Sequence, residues 1–173
     1  MTEFANPRVD IAELPDYSAV SLTPVAPGFL PYTMLSSAAL WLILAGVSVI
    51  GRLLPWPDWT PGWWLAGVFL ALVPLSLGWS WLDARRRGWA LREHDLIYRQ
   101  GVIRHSTTIL PFARIQHVET ASGPLERAFG LMRLKCFTAG GMTADLTVLG
   151  LDRVQARKIR AYLLERIRDR AEA

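Results

Sequence analysis

A single cysteine, Cys136, stands in 173 residues, which excludes an internal disulfide framework and any cysteine-built metal cage. It falls in an alternating segment where a small buried apolar residue is expected. Histidine is nearly as scarce. His94, His105 and His117 lack the i, i+4 spacing of a helical zinc pair and have no carboxylate cluster beside them, so structural or solvated roles are expected for all three. The chain has no phosphate-cradling glycine-rich loop and no Gly-x-Ser-x-Gly elbow. No set of residues qualifies as catalytic, no metal site and no cofactor is expected, and the expectation is a protein that is not an enzyme. The first 28 residues lack the basic start and apolar core of a cleaved signal peptide, so the first apolar segment is expected to remain as an anchor.

The most informative absence is local. No charged residue occurs from Pro31 to Gly51, and none from Pro61 to Leu82, although 20% of the whole chain is charged. A bilayer core about 30 Å thick needs about 20 helical residues at 1.5 Å each, and both windows meet that length. Only a helix satisfies its own backbone groups in lipid. A buried hairpin in a soluble protein would need more protein around it than the remaining chain supplies. The sequence therefore predicts a transmembrane hairpin over 31–82, with spans of about 31–51 and 61–82. Trp56, Trp59, Trp63 and Trp64 gather at the turn, and Trp79, Trp81 and Trp89 at the other end, as headgroup-level indoles would. Pro55 and Pro57 reverse the chain between the spans.

Nothing ionisable lies inside either span, which argues against a pump, channel or proton relay. Pro74 predicts a kink, Ser76 and Ser80 are expected to bond back to their own helix, and Ser36, Ser37, Gly46 and Gly67 are small enough to help the helices pack.

Charge is uneven elsewhere. Up to residue 60 there are two basic residues against five acidic ones; beyond it there are 17 against 10. Residues 1–30, with four prolines and four acids, read as a flexible acidic tail. Arg85, Arg86 and Arg87 form a basic juxtamembrane linker over 83–88. Under the positive-inside rule they place that end, the tail and the following domain in the cytoplasm.

From Trp89 the periodicity changes to that of strands. Leu96-Ile97-Tyr98 and Val102-Ile103 flank Arg99-Gln100-Gly101, which predicts a tight turn. Thr107–Leu110 and Ile115–Thr120 are further strands, and Pro124–Phe129 a short helical turn ended by Gly130. Met132, Leu134 and Cys136 alternate with Arg133, Lys135 and Phe137. After the Gly140-Gly141 turn, Ala144, Leu146 and Val148 alternate likewise. Glu126-Arg127 reads as a local pair, and Arg133 and Lys135 are within reach of Asp145 across that hairpin. Asp152 is a candidate N-cap for a last helix, with Leu151, Ile159, Tyr162, Leu163 and Ile167 on one stripe. An α+β membrane protein results: a two-helix hairpin, then a domain over 89–170 in which a bent antiparallel sheet is capped by a C-terminal helix.

Several segments carry a resemblance: Gly101-Val102-Ile103-Arg104, Pro111-Phe112-Ala113-Arg114-Ile115-Gln116-His117-Val118, Gly123-Pro124-Leu125-Glu126-Arg127-Ala128-Phe129-Gly130-Leu131 and Thr138-Ala139-Gly140-Gly141. With the preceding spans, the chain over roughly 30–165 resembles the bacterial pleckstrin-homology-like membrane family often called YdbS-like. The resemblance implies a pleckstrin-homology-like fold, a seven-stranded bent sheet capped by a helix. It offers no catalytic residues, and implies as partner a larger membrane protein carrying several such domains.

What remains is binding. One hypothesis joins Arg85, Arg86, Arg87, Arg133 and Lys135 into a surface for anionic lipid or a partner, each basic residue near a headgroup being worth about 1 kcal/mol. Against it stand a pure topology signal for the triplet and a solvated sheet face for the other two. A second and primary hypothesis is an assembly or scaffold subunit of an envelope-associated complex, with homo-oligomers left open. Nucleic-acid binding is disfavoured, because only Phe137 beside Lys135 interleaves an aromatic with a basic residue.

Overall fold

A computed structural model describes residues 20–54, 61–139 and 144–172, the side chains of 170–172 aside. Trp56, Trp59, Pro55, Pro57, the Gly140-Gly141 turn and most of the acidic tail lie outside these residues.

Two 25-residue helices, α1 (Phe29–Leu53) and α2 (Gly62–Arg86), form the hairpin. Each is about 37 Å long at 1.5 Å per residue, enough to cross a bilayer with some tilt. Their contact is made by small and polar groups. Ala45, Ser48 and Ala66 are buried, and the hydroxyls of Ser37 and Ser80 lie 3.2 Å apart across the pair. Ser76 and Ser80 also donate to their own helix, to the carbonyls of Val73 and Ser76, as expected of serines in lipid. Trp41 stacks on Phe69 with ring centroids 6.1 Å apart. Gly46 and Gly67 take no part, since a Cβ added at either would meet nothing within 4 Å. Helix α2 continues unbroken through Pro74. Leucines, valines and tryptophans point outward, with Trp64 82% and Leu75 70% exposed. Such a surface is stable only with lipid as its solvent.

Among the described residues the domain contains seven strands in two antiparallel sheets. One has the order β1 (Thr23–Pro24), β2 (Gly88–Leu91), β3 (Asp95–Gln100), β4 (Ser106–Pro111). The other has the order β5 (Ile115–Ala121), β6 (Leu131–Thr138), β7 (Leu146–Asp152). A 3-10 turn, Phe112–Arg114, leads from one sheet to the other, and the short helix α3 (Pro124–Ala128) joins β5 to β6. The last helix, α4 (Arg153–Glu172), packs on β5, β6 and β7. Asp152 Oδ1 accepts from the Val154 N–H and Gln155 reaches back to the Asp152 N–H, a reciprocal cap that fixes where α4 starts.

Leu134, Cys136, Val148, Leu151, Ala156 and Leu163 are wholly buried between the β5–β7 sheet and α4, together with Leu96 and Tyr98 of the first sheet. Burial pushes the Cys136 thiol up to about 12, so it behaves as the small apolar residue its alternation implies.

Several elements differ from their sequence reading. Val102 and Ile103 do not start the return strand: the β3–β4 ladder closes at Gln100 opposite Ser106, leaving 101–105 as the loop. Gly101 is its pivot. Its φ is +106°, and a Cβ there would sit 2.0 Å from the Arg104 carbonyl oxygen. Trp89 leaves the interfacial group and enters the core, because β2 turns its ring inward. The segment 83–88 is not a free linker: α2 runs to Arg86, and β2 starts at Gly88.

The largest difference concerns residues 20–30. They are part of the domain rather than of a flexible tail. Thr23 and Pro24 pair with Trp89 and Gly88, and Ala26 N–H donates to the Gly150 carbonyl at 2.7 Å. Gly150, at φ +75°, leaves room for Val25 and Phe29, either of which a Cβ there would meet at 2.9 Å. Ala26, Phe29, Ala84 and Leu131 then form a second core where tail, hairpin and domain meet.

Candidate functional site

The β1–β2 pairing has a topological consequence. Residue 23 precedes the first span and residue 89 follows the second, yet they are ladder partners, so both ends of the hairpin emerge on the same side.

A shallow cavity of about 400 Å³ opens at this point, lined by Leu22, Pro24, Arg85, Arg86, Arg87, Gly88, Arg99 and His105. Each basic group arrives by a separate structural cause. Arg85 and Arg86 are the last residues of α2, where the helix dipole favours cations. Arg87 is the residue after it. Arg99 is opposite Gly88 in the β2–β3 ladder, which brings it beside the triplet. His105 closes the loop pivoted on Gly101.

The three arginines of the triplet do different things. Arg87 is a clamp. Its Nε donates to Asp83 at 2.6 Å, and its Nη1 donates to Tyr98 Oη at 2.9 Å and to Gln100 at 3.1 Å. Its guanidinium also faces the Phe29 ring at 5.6 Å. Tyr98 Oη in turn accepts the Leu149 N–H, so one side chain ties α2, α1 and both sheets. Arg86 donates to the Val102 carbonyl at 2.7 Å and lies 3.1 Å from His105 Nε2, fixing the loop over the helix end. Arg85 lies over the Trp81 ring at 4.0 Å, with its charge exposed. Among the described residues, Arg85, Arg86 and Arg99 have no carboxylate within ion-pair distance, and Asp83 is engaged by Arg87. The groove is strongly positive.

Arg133 and Lys135 do not line it. Arg133, on β6, pairs with Glu126 at 2.7 Å, and Lys135 sits across the ladder from Glu119. The expected local Glu126-Arg127 pair is replaced by this longer-range one. Glu126 is buried because its carboxylate also accepts the Gly123 N–H at the start of α3, which turns it away from Arg127. Asp145 takes neither basic residue. It accepts the side-chain hydroxyl and backbone N–H of Thr138, each at 2.8 Å, and these bonds hold its carboxyl below the ordinary range.

Arg99, His105, Leu22 and Pro24 were not among the residues that the sequence offered for lipid or partner contact. The signal for Arg99 was available: antiparallel pairing across the 92–94 turn puts it beside the juxtamembrane triplet. The contribution of Leu22 and Pro24 carried no pattern, since a two-residue strand has no periodicity. Among the described residues, no group of three histidines, cysteines or carboxylates is placed to hold a metal.

Comparison with known proteins agrees with this architecture. The family described as Bacterial PH domain matches residues 19–167, a span that begins just before β1 and takes in the hairpin. Among curated proteins, UPF0699 transmembrane protein YdbS of Bacillus subtilis (strain 168) is 29% identical over 109 residues, covering 60% of this chain. The match spans 65% of that relative's length, a little under two thirds. No solved structure matches. A hairpin with an outward apolar surface, two antiparallel sheets closed by a C-terminal helix, and a family match over most of the sequence lead to one assignment: the chain belongs to the bacterial PH domain family, as a YdbS-like transmembrane member.

Proposed function

We propose that this chain is a non-catalytic protein of the bacterial inner membrane whose PH-like domain, on the cytoplasmic side, receives anionic lipid headgroups in the groove of Arg85, Arg86 and Arg99. The observation that carries the reading is three arginines without carboxylate partners, among the described residues, gathered at the end of a membrane-spanning helix. Juxtamembrane cations attract anionic headgroups by about 1 kcal/mol each, and an arginine fork matches phosphate oxygens in pairs. Ile103 adds an apolar contact. It is 80% exposed in the loop that Arg86 holds at the helix end, where a large aliphatic side chain is stable in the headgroup layer.

The test uses the full chain in nanodiscs of mixed phosphatidylcholine and phosphatidylglycerol. Lipid retained on detergent dilution is then counted by mass spectrometry. Phosphatidylglycerol enriched several-fold in the parent, and lost in R85Q/R99Q, is the expected result. Retention in the bulk lipid ratio by both proteins overturns the reading.

A second reading, an assembly subunit bound to a larger membrane protein with several PH-like domains, is favoured by a separate surface. Leu125 on α3 and Val154 on α4 are exposed where Arg153 reaches back to the Arg127 carbonyl, and neither lines the groove. In-membrane crosslinking followed by mild extraction tests it; recovery of the monomer alone counts against it.

A further inference from the structure

The groove lies at the end of α2; a second surface lies at the start of α1. A Cβ added at Gly28, the residue before α1, would sit 2.4 Å from the Phe129 carbonyl oxygen. The Phe129 ring meets Tyr32, in the first turn of α1, edge-on at 6.3 Å. Phe129 directly follows α3, so α3 is held beside the point where α1 begins. The start of α4 is tied to the same place. The Arg153 N–H donates to the Gly130 carbonyl at 3.3 Å, and its guanidinium to the Arg127 carbonyl. Leu125 and Val154 are exposed there. From this junction α4 leads away: Tyr162 packs on Phe112, and Ile167 shares a cavity wall with Phe112 and Thr138.

Charge along α4 is uneven. Between Arg153 and Leu164 it carries four basic residues and no acid; Glu165 and Asp169 come only afterwards. They lie about 18 and 24 Å from Arg153 along the helix, beyond the screening length of about 8 Å in physiological salt. The nearer carboxylates are engaged, Glu126 by Arg133 and Asp152 by the Val154 N–H. Among the described residues, Arg127, Arg157 and Lys158 have no carboxylate within ion-pair distance. We infer that α3 and the first half of α4 form a second bilayer contact, with Leu125 and Val154 set into an anionic headgroup layer and Arg127, Arg157 and Lys158 on its phosphates. This contact does not depend on the groove. Leu125 and Val154 are also the residues that the assembly reading offers to a protein partner. Cations beside two apolar side chains at the root of a span match lipid better, because the bilayer supplies anionic charge and acyl carbon at that place. With the groove at the end of α2, the contact seats the domain at both ends of the hairpin and stops it from swinging about them.

The experiment uses the full chain in nanodiscs of phosphatidylcholine and phosphatidylglycerol, with an environment-sensitive fluorophore on one introduced cysteine. Cys136 is wholly buried, so the introduced thiol takes the label. Leu125→Cys and Val154→Cys report the surface, and Gln116→Cys, exposed at the far end of the domain, is the control. Lipid carrying a spin label on its headgroup is expected to quench the first two about two-fold and the control not at all. The quenching is expected to weaken in phosphatidylcholine alone and in R127Q/R157Q, and to persist in R85Q/R99Q. Leu125→Cys and Val154→Cys no more quenched than the control overturns the inference, as the surface then faces water. Blue-shifted but unquenched emission also overturns it, since a second copy of the chain then covers the surface. Quenching indifferent to both phosphatidylglycerol and R127Q/R157Q removes the anionic headgroup as its cause and overturns it too. Loss in R85Q/R99Q makes the contact a by-product of the groove and overturns the second site alone.

Discussion

Tryptophan behaves in opposite ways in the two halves of this molecule. Trp64 in the hairpin leaves 82% of its surface outside, whereas Trp89 in the domain leaves 9%. Leucine does the same: Leu75 of α2 is 70% exposed and Leu134 of β6 wholly buried. One residue type, two solvents. In the domain, water drives apolar groups inward and shape fills the core. In the hairpin, lipid is as apolar as leucine, so small residues and two serine hydroxyls make the contact instead.

The sharpest way to break this contrast is truncation on each side. Leu134→Ala opens a cavity between β6 and α4 and costs about 3 kcal/mol. Leu75→Ala, facing lipid, costs about 1 kcal/mol or less. Thermal unfolding of the full chain in mild detergent, followed by near-ultraviolet dichroism, measures both. Equal losses would mean that Leu75 is covered by protein and that the hairpin is not a lipid-facing surface.

Charge sharpens the contrast next. The carboxylate of Glu126 is buried in the domain, satisfied by Arg133 and the Gly123 N–H. Arg133→Ala leaves that buried carboxylate with only the Gly123 N–H and costs about 2 to 3 kcal/mol, while Glu126→Ala costs less because the guanidinium it leaves already reaches water. An Arg133→Ala protein as stable as the parent would show that the pair only decorates the surface. At the junction, Arg87→Gln breaks a charge-assisted network and costs about 1 to 2 kcal/mol. It also speeds hydrogen exchange at the Leu149 amide, which Tyr98 caps. Arg85→Gln, whose head is free of the domain, leaves exchange unchanged. Equal exchange in both variants would refute the clamp.

Much of this was legible in the residues. The hairpin was visible because charge-free windows of the right length have one physical explanation, and the β6–β7 and α4 faces because alternation and helical spacing report burial directly. The basic triplet was visible as a group but not as three roles. Arg87 differs from Arg85 only through Asp83, Tyr98 and Gln100, partners that the fold supplies. Residues 20–30 misled for a similar reason. Prolines and acids in 1–30 describe a chain without its own core, yet Ala26 and Phe29 need none, since they borrow the surface of Gly150, Ala84 and Leu131. Trp89 misled by company, lying close in sequence to interfacial indoles while β2 carries it inward.

That last residue gives the smallest effect. Trp89 Nε1 is the one buried side-chain nitrogen or oxygen without a hydrogen-bond partner among the described residues. An unpaired buried donor costs about 1 to 3 kcal/mol, against which the indole's larger buried surface is favourable. Trp89→Phe removes the stranded N–H and part of the packing together, so the two changes nearly cancel and stability moves by about 1 kcal/mol or less. The same substitution at Trp64, in contact with lipid, changes unfolding as little but removes fluorescence that brominated lipid quenches. If Trp89 is quenched as strongly as Trp64, it belongs to the headgroup layer after all, and the division between the two solvents falls later in the chain than the end of α2.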